Sequence, residues 1–186
     1  MASEKGEPKV RMRKTFAAIA GAVTVGAVTP AAAHEADRMT AHRAGPIRNG
    51  ETTVAEAKDR FGEPTRVKKT KIGCEVKITK LFWGKRLKVY FAGWGSNRKA
   101  TETWIRRRNV ATAAGGEMTF HTRRMIRVGD SLKRLKAKYP KAEPTHGPKG
   151  WKHWDLRLPK TGVARLEAII HDGRVTALLN APYEYC

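Results

Sequence analysis

The fold is decided by the stretch Ile126-Arg-Val-Gly-Asp-Ser-Leu-Lys-Arg-Leu-Lys-Ala-Lys-Tyr139, because a looser copy of it begins at Ile47. That copy reads Ile47-Arg-Asn-Gly-Glu-Thr-Thr-Val-Ala-Glu-Ala-Lys-Asp-Arg-Phe61, with a one-residue gap near Thr52. In both copies, apolar residues recur at i, i+3 and i+7, which places them on one face of a helix. The sequence therefore predicts one small unit used twice. The matching apolar residues are Val54, Ala57 and Phe61 in the first copy and Leu132, Leu135 and Tyr139 in the second.

Both predicted helices carry terminal signals and are followed by strand-like segments. Thr53 with Glu56 is typical of a capping box, and Ser131 or Asp130 is the expected cap of the second helix. The following segments are rich in β-branched and aromatic residues or alternate in polarity. The predicted fold class is therefore α+β, with two tandem repeats that each pack one or two helices on a three- to four-stranded antiparallel sheet. The predicted strands are 75–83, 86–91, 101–106, 154–158, 166–170 and 175–179.

The amino-terminal segment is typical of an export signal. Five cations precede an apolar run from Phe16 to Val28, and small residues from Pro30 to Ala33 suit cleavage near Ala33. A short membrane anchor is the alternative, but the run is shorter than the roughly 20 apolar residues that a span requires. We expect a secreted or extracytoplasmic mature protein. The predicted organisation is 1–33 signal peptide, 34–45 flexible arm, 46–108 first repeat, 109–118 linker and 119–186 second repeat.

The chain is strongly basic, with a net charge of +21. The first 33 residues hold five of the 38 Lys and Arg and two of the 17 Asp and Glu, so residues 34–186 keep a net charge of +18. Such an excess speeds encounters with nucleic acid, anionic lipid, acidic wall polymers or acidic proteins. The composition favours an anionic partner without identifying it.

Cys74 and Cys186 are the two cysteines of the chain. In an exported protein, such a pair favours a disulfide, which here would tie the second repeat back to the first. Two free thiols or an intermolecular bridge are the alternatives. Neither cysteine has a second Cys or a His at ligand spacing, so no metal site is predicted there.

The residues around the two helices carry short motifs in matching positions. Before and after the first helix stand Gly45-Pro-Ile47-Arg-x-Gly50 and Phe61-Gly62-Glu-Pro64. Around the second stand Ile126-Arg-Val-Gly129-Asp-Ser and Lys-Tyr139-Pro140. Over residues 45–181 these motifs resemble the tandem repeat of the β-lactamase inhibitory protein-like and SmpA/OmlA-like envelope proteins. The resemblance implies helices laid on antiparallel sheets, with free sheet faces that contact a protein, and it supplies no catalytic residues.

The solvent side of the second helix is one candidate binding surface. No acidic residue follows Asp130 on this helix, and Arg134 and Lys138 repel each other at i, i+4, so pairing within the helix does not explain the cations. The alternative is a solvated face that only keeps the protein soluble. The candidate residues are Lys133, Arg134, Lys136 and Lys138, with Arg123 and Arg124 just before the helix.

A second candidate surface mixes aromatic rings with cations on the first repeat. Such mixtures suit nucleic acid, carbohydrate or protein hot spots, whereas the alternative assigns most of the tryptophans to the core. Strand alternation places Tyr90 opposite Leu87 and Val89, and therefore outside the core. The candidate residues are Arg86, Lys88, Tyr90, Trp94, Trp104 and Arg106.

The sequence offers little for catalysis. Ser96 is not in a Gly-x-Ser-x-Gly motif, Ser131 is better interpreted as a helix cap, and the histidines lack metal-ligand spacing. We predict no catalytic residue, no metal and no cofactor. The expected function is non-enzymatic, inhibitor-like binding of an exported or surface protein, with no obligate small molecule. A polyanion-binding envelope protein and a small secreted hydrolase are the alternatives.

Overall fold

The protein is built mainly from antiparallel strands. The computed structural model describes residues 36–71, 76–93, 95, 97–145, 152–157 and 164–182. Within them, the helices are α1 (Val54–Phe61) and α2 (Leu132–Lys138). The strands are β1 (Arg38–Met39), β2 (Arg43–Ala44), β3 (Ile47–Arg48), β4 (Arg66–Lys71), β5 (Lys77–Trp83), β6 (Leu87–Ala92), β7 (Lys99–Ile105), β8 (Asn109–Ala111), β9 (Glu117–Thr119), β10 (His121–Thr122), β11 (Glu143–Thr145), β12 (Lys152–Arg157), β13 (Ala164–His171) and β14 (Arg174–Pro182).

One eight-stranded sheet runs through both halves of the chain, in the order β11-β12-β13-β14-β7-β6-β5-β4. The two halves meet where β14 pairs antiparallel with β7, with Leu178 opposite Ile105 and Leu179 opposite Trp104. Each half would otherwise expose a strand edge with unpaired backbone groups, and this pairing removes both edges. The halves therefore share a sheet and a core.

The predicted α+β class, with a separate helix-on-sheet unit in each repeat, is wrong. Strands dominate the described residues, and the two helices there have only eight and seven residues. The prediction failed because pairing between β7 and β14 joins residues far apart in the chain, which local periodicity does not report. The limits of the two repeats stay a prediction.

Residues 38–44 are not the flexible arm that the sequence predicts. β1 and β2 belong to a small sheet of order β10-β1-β2-β3, and Met39 and Ala44 are fully buried. At Gly45 the backbone has φ +57°, and an added Cβ would lie 2.8 Å from the Ala36 carbonyl oxygen, so this turn requires glycine. Strands of two residues are too short to show an alternating pattern.

The predicted linker 109–118 instead lies in a hairpin formed by β8 and β9. Asn109 pairs with Thr119, Val110 with Met118, and the two apolar members of these pairs are buried. The adjacent Gly115 and Gly116 that favoured a linker lie in the turn between these strands. The segment is part of the folded core.

Both helices cover the same side of the eight-stranded sheet, which we call the first face. Thr53 and Glu56 form the predicted capping box, and Ser131 accepts a hydrogen bond from the Arg134 amide, so both predicted caps are confirmed. Helix α1 buries Phe61 against a tryptophan of β5, and α2 buries Leu135 completely. The small sheet also joins this core.

Asn180 fastens the small sheet to the large one. This residue of β14 is completely buried, its Oδ1 accepts from the Thr103 amide at 3.0 Å, and its Nδ2 donates to the Thr40 carbonyl at 3.1 Å. One side chain therefore bonds to a backbone group of each sheet. Buried groups left unpaired would cost stability.

Candidate functional site

The opposite side of the large sheet, which we call the second face, carries a row of cations and rings across β4 to β7. The register places these side chains in two adjacent lines that cross the strands. Neighbours on the same face of adjacent strands lie close enough to interact directly. We call this group the cation–ring row: Arg66, Phe82, Lys88 and Trp104 in one line, and Lys68, Lys80 and Tyr90 in the next.

Every ring of the cation–ring row lies under a cation. The electron-rich ring face attracts a positive charge without neutralising it, so stacked cations keep their charge for an anionic ligand. The rings are half-buried, and they hold the long cationic side chains in place on the sheet. The distances from cation to ring centre are 4.1 Å for Arg66 to Phe82, 3.7 Å for Lys88 to Trp104, 4.5 Å for Lys80 to Tyr90 and 4.8 Å for Lys88 to Tyr90.

Lys88 is the most perturbed cation of the cation–ring row. Burial lowers its pKa from 10.5 to about 8, while the nearby Glu102 carboxylate opposes the shift and Arg106 adds to it. Burial likewise raises the pKa of Tyr90 to about 12. Glu102 is itself 8% exposed and accepts a hydrogen bond from the Trp104 indole. A partly desolvated ammonium beside one fixed carboxylate gains more from a new anion than a fully hydrated lysine does.

Alternation along β6 explains why the sequence builds this surface. Leu87, Val89 and Phe91 are 0–1% exposed on the first face, and Lys88 and Tyr90 between them lie half-buried on the second. The same alternation was visible in the sequence, so this part of the surface was predictable.

The structure brings together three of the predicted binding residues: Lys88, Tyr90 and Trp104. Arg106 lies close enough to affect the pKa values of the first two. Trp94 lies outside the described residues. Most of the predicted aromatic surface therefore lies on the second face.

Arg86 contributes differently from its predicted partners. Its guanidinium forms a 3.0 Å ion pair with Glu117 of β9, between two half-exposed side chains. This ion pair joins the β5–β6 turn to the β8–β9 hairpin. Glu117 therefore partly neutralises the charge of Arg86.

The basic side of α2 lies on the other side of the large sheet from the cation–ring row. Arg134 pairs with Asp130 at 3.4 Å, and Lys136 lies 5.0 Å from the centre of the Trp154 ring on the first face. Lys133 and Lys138 are exposed. The two predicted surfaces are therefore separate sites, and one flat ligand cannot contact both.

Arg123 and Arg124 lie on the α2 side. Arg124 stacks 5.2 Å from the centre of the Tyr139 ring and donates to the Lys138 carbonyl at 2.6 Å, whereas Arg123 is exposed. Arg124 thus closes the carboxyl end of α2, which is a structural role for a cation at that position.

A cavity of about 600 Å³ opens where the strands of the large sheet end, between the β5–β6 turn, the end of β7 and the β13–β14 turn. Its exposed side chains are cationic and its buried side chains are apolar. No carboxylate among the described residues lines it. We call this cavity the arginine pocket; its cations are Lys85, Arg106, Arg107 and Arg174, and its apolar wall includes Trp104, Val128, Ile169, Val175 and Ala177.

Sequence reasoning missed many residues of these two sites. On β4, only Val67 is a large apolar residue, and it is 48% exposed, so no alternation predicts a strand there. The cations of the arginine pocket come from three separate chain segments that only the folded sheet brings together. The missed residues are Arg66, Lys68, Lys80 and Phe82 in the cation–ring row and Lys85, Arg107 and Arg174 in the pocket.

One histidine–carboxylate pair borders the arginine pocket. His153 Nδ1 lies 2.9 Å from Glu167 Oε2, and Glu167 is 2% exposed and also pairs with Arg165 at 3.3 Å. In catalytic triads a comparable pair activates a nucleophile. The hydroxyl of Thr176, which lines the pocket, donates to the Ile169 carbonyl. The pair therefore orients a histidine ring at the pocket wall without an adjacent activated nucleophile among the described residues.

Several predicted features have no place in the described structure. Cys74 and Cys186 lie outside the described residues, as do Ser96 and the predicted signal peptide. Within the described ranges, no three His, Cys, Asp or Glu side chains are grouped to hold a metal ion, and no helix there is long and apolar enough to cross a membrane.

No protein-family model matches this chain, and no curated protein matches it. Among solved structures, the chain is similar to a proposed beta-lactamase inhibitor protein from Streptococcus mutans, with 12% sequence identity and a TM-score of 0.28. The similarity covers 79% of this chain and 90% of that one. A TM-score of this size supports no transfer of activity.

Proposed function

We propose that this protein is an exported, non-enzymatic binding protein that holds an acidic segment of a partner protein on the second face. The observation that carries the proposal is the cation–ring row, in which Lys88 stacks 3.7 Å from the Trp104 ring while the Glu102 carboxylate lies beside it. Tryptophan and tyrosine, both present in the row, are enriched in protein interfaces and among the residues that dominate their binding energy.

The partial burial of the row favours a protein partner over a flexible polymer. A polyanion gains most of its affinity by releasing counterions from hydrated surface cations. Lys88 is already partly desolvated, as its lowered pKa indicates, and stacking restricts its side chain. A preordered cation costs less entropy to bind, and it rewards a ligand that packs against the rings and excludes water.

Binding of a glutamate-rich peptide tests this proposal. We expect Lys80→Gln/Lys88→Gln to weaken binding by about tenfold or more, since each charge-assisted contact contributes about 1.5 kcal/mol or more. The matched control Lys133→Gln/Lys138→Gln removes the same charge on the other side of the sheet, and it should change affinity by less than about threefold because such distant exposed charges are screened. Equal losses in the two variants would contradict the proposal.

Polyanion binding on α2 is the second candidate, favoured by the exposure of Lys133 and Lys138 there. Retention of the protein on immobilised heparin at increasing salt distinguishes polyanion binding from binding of an acidic protein segment. A polyanion site predicts retention that falls log-linearly with salt and that the Lys133→Gln/Lys138→Gln control weakens. Retention of the peptide at salt concentrations that release heparin supports the packed protein interface instead.

A further inference from the structure

We propose that the arginine pocket binds an organic phosphate monoester, with the phosphate among the cations and an apolar or aromatic body against the buried wall. The pocket adjoins the cation–ring row through Trp104 and Arg106. It is nevertheless a separate cavity at the end of the sheet, and the proposal holds whether or not the row binds an acidic segment.

The charge of the pocket favours a dianionic head group. Lys85, Arg106 and Arg107 have no ion-pair partner among the described residues. Arg174 donates to the Gly129 carbonyl at 3.2 Å, which holds its guanidinium at the cavity. Four cations exceed what one carboxylate can balance, whereas a phosphate monoester offers about two charges and three acceptor oxygens that suit the planar arginine fork.

The run Arg106-Arg-Arg108 thereby acquires distinct roles. Arg108 lies 3.7 Å from Asp130 and forms an ion pair on the α2 side, while Arg106 and Arg107 line the cavity. Asp130 also pairs with Arg134, so two arginines outside the cavity already share the charge of this carboxylate. The two cavity arginines are therefore available to a ligand.

The wall of the pocket favours a ligand with an apolar body. Trp104 and Val128 are half-buried and present apolar surface to the cavity. Val175, Ile169 and Ala177, which are 1–3% exposed, line it behind them. A volume of about 600 Å³ is far larger than a phosphate ion requires and lies in the range of ordinary small-molecule pockets. An inorganic anion would leave most of this apolar surface uncovered.

His153 completes the site. A carboxylate only accepts hydrogen bonds, so the 2.9 Å contact with Glu167 assigns a proton to Nδ1 and fixes the ring with Nε2 as its remaining polar atom. The ring lines the same cavity as the arginines. The contact with Glu167 restrains a polar ring at the cavity wall beside the arginines.

Calorimetric titration with phenyl phosphate tests the site. We expect Arg106→Gln/Arg107→Gln to weaken binding by about tenfold or more, because two charge-assisted contacts are lost. Both residues are exposed, so the variant should fold. Lys133→Gln/Lys138→Gln is the charge-matched control and should bind nearly as well as the natural sequence. Absence of binding, or equal weakening in both variants, would overturn the proposal.

Two further ligands, inorganic phosphate and lipid vesicles, define the chemistry of the site. Phenyl phosphate should bind about tenfold more tightly than inorganic phosphate, because a ring buried on the wall adds apolar contact area; equal affinities would overturn the assignment of the apolar wall. Vesicles of phosphatidylcholine with phosphatidic acid distinguish the source. Binding to these vesicles that Arg106→Gln/Arg107→Gln abolishes identifies a lipid phosphate. Binding of phenyl phosphate that the vesicles do not compete for identifies a soluble ester.

Discussion

Lys88 and Trp104 are direct cross-strand neighbours on the second face, and the lysine ammonium lies 3.7 Å from the centre of the indole ring. The indole donates in turn to the Glu102 carboxylate on the same strand. The ammonium, the ring and the carboxylate therefore form one connected group in the middle of the sheet. The charge of this group depends on the protonation of Lys88.

The first prediction concerns the pH dependence of acidic-peptide binding. The pKa of Lys88 is about 8, so its charge is lost as pH rises through that value, and affinity for a glutamate-rich peptide should fall between pH 7 and pH 9. Lys88→Arg keeps its charge throughout this range and should bind with little pH dependence. Peptide titrations at pH 7, 8 and 9 measure the difference. An affinity of the natural sequence that stays constant over this range would exclude Lys88 from the contact.

The second prediction concerns stability at high pH. Burial lowers the pKa of Lys88 from 10.5 to about 8, so between these values the unfolded chain holds a proton that the folded chain has released. The contribution of Lys88 to the free energy of unfolding should therefore rise with pH across this window. Tyr90 acts in the opposite direction between pH 10 and about 12, because its raised pKa makes the folded chain the more protonated state.

Urea unfolding of the natural sequence and of Lys88→Met at pH 8, 9 and 10 isolates this contribution. The difference in unfolding free energy between the two proteins should shift in favour of the natural sequence as pH rises. A difference that shifts the other way would mean that Lys88 is not desolvated in the folded protein.

The third prediction concerns Asn180, which joins the two sheets. Asn180→Ala leaves the Thr103 amide and the Thr40 carbonyl without their partner, and it should lower the free energy of unfolding by about 2 kcal/mol or more. Asn109→Ala is a matched control, since Asn109 also makes two side-chain hydrogen bonds but lies half-buried in the hairpin. Its loss should cost less than about 1 kcal/mol. Equal costs from chemical denaturation would show that Asn180 does not fasten the sheets.

Local signals in the sequence predicted the features that depend on neighbouring residues. The capping box of Thr53 and Glu56 and the cap at Ser131 form as expected, because each needs only contacts within one helical turn. Alternation in β6 placed Lys88 and Tyr90 away from the core for the same reason. Of these elements, β6 carries two residues of the cation–ring row, Lys88 and Tyr90.

Features that depend on distant pairing were not predictable. Nothing in the composition of β4, with four cations in six residues, indicates a strand until it pairs with β5. The contact of Ile105 with Leu178 across β7 and β14 merges the two halves, and no periodicity encodes it. The pairing of β7 with β14 also brings the cations of the arginine pocket together. Their positions in the sequence therefore did not show that they share a site.

Binding of an acidic segment on the second face is best tested by following the indole N–H resonances of two tryptophans during titration with the glutamate-rich peptide. Trp104 lies on the second face, whereas Trp83 lies on the first and donates to the Gly62 carbonyl at 2.8 Å, so it serves as an internal control. If the peptide binds on the second face, the Trp104 resonance should shift with the peptide while the Trp83 resonance stays in place. An unmoved Trp104 resonance, with shifts confined to the amides of α2, would rule out binding on the second face.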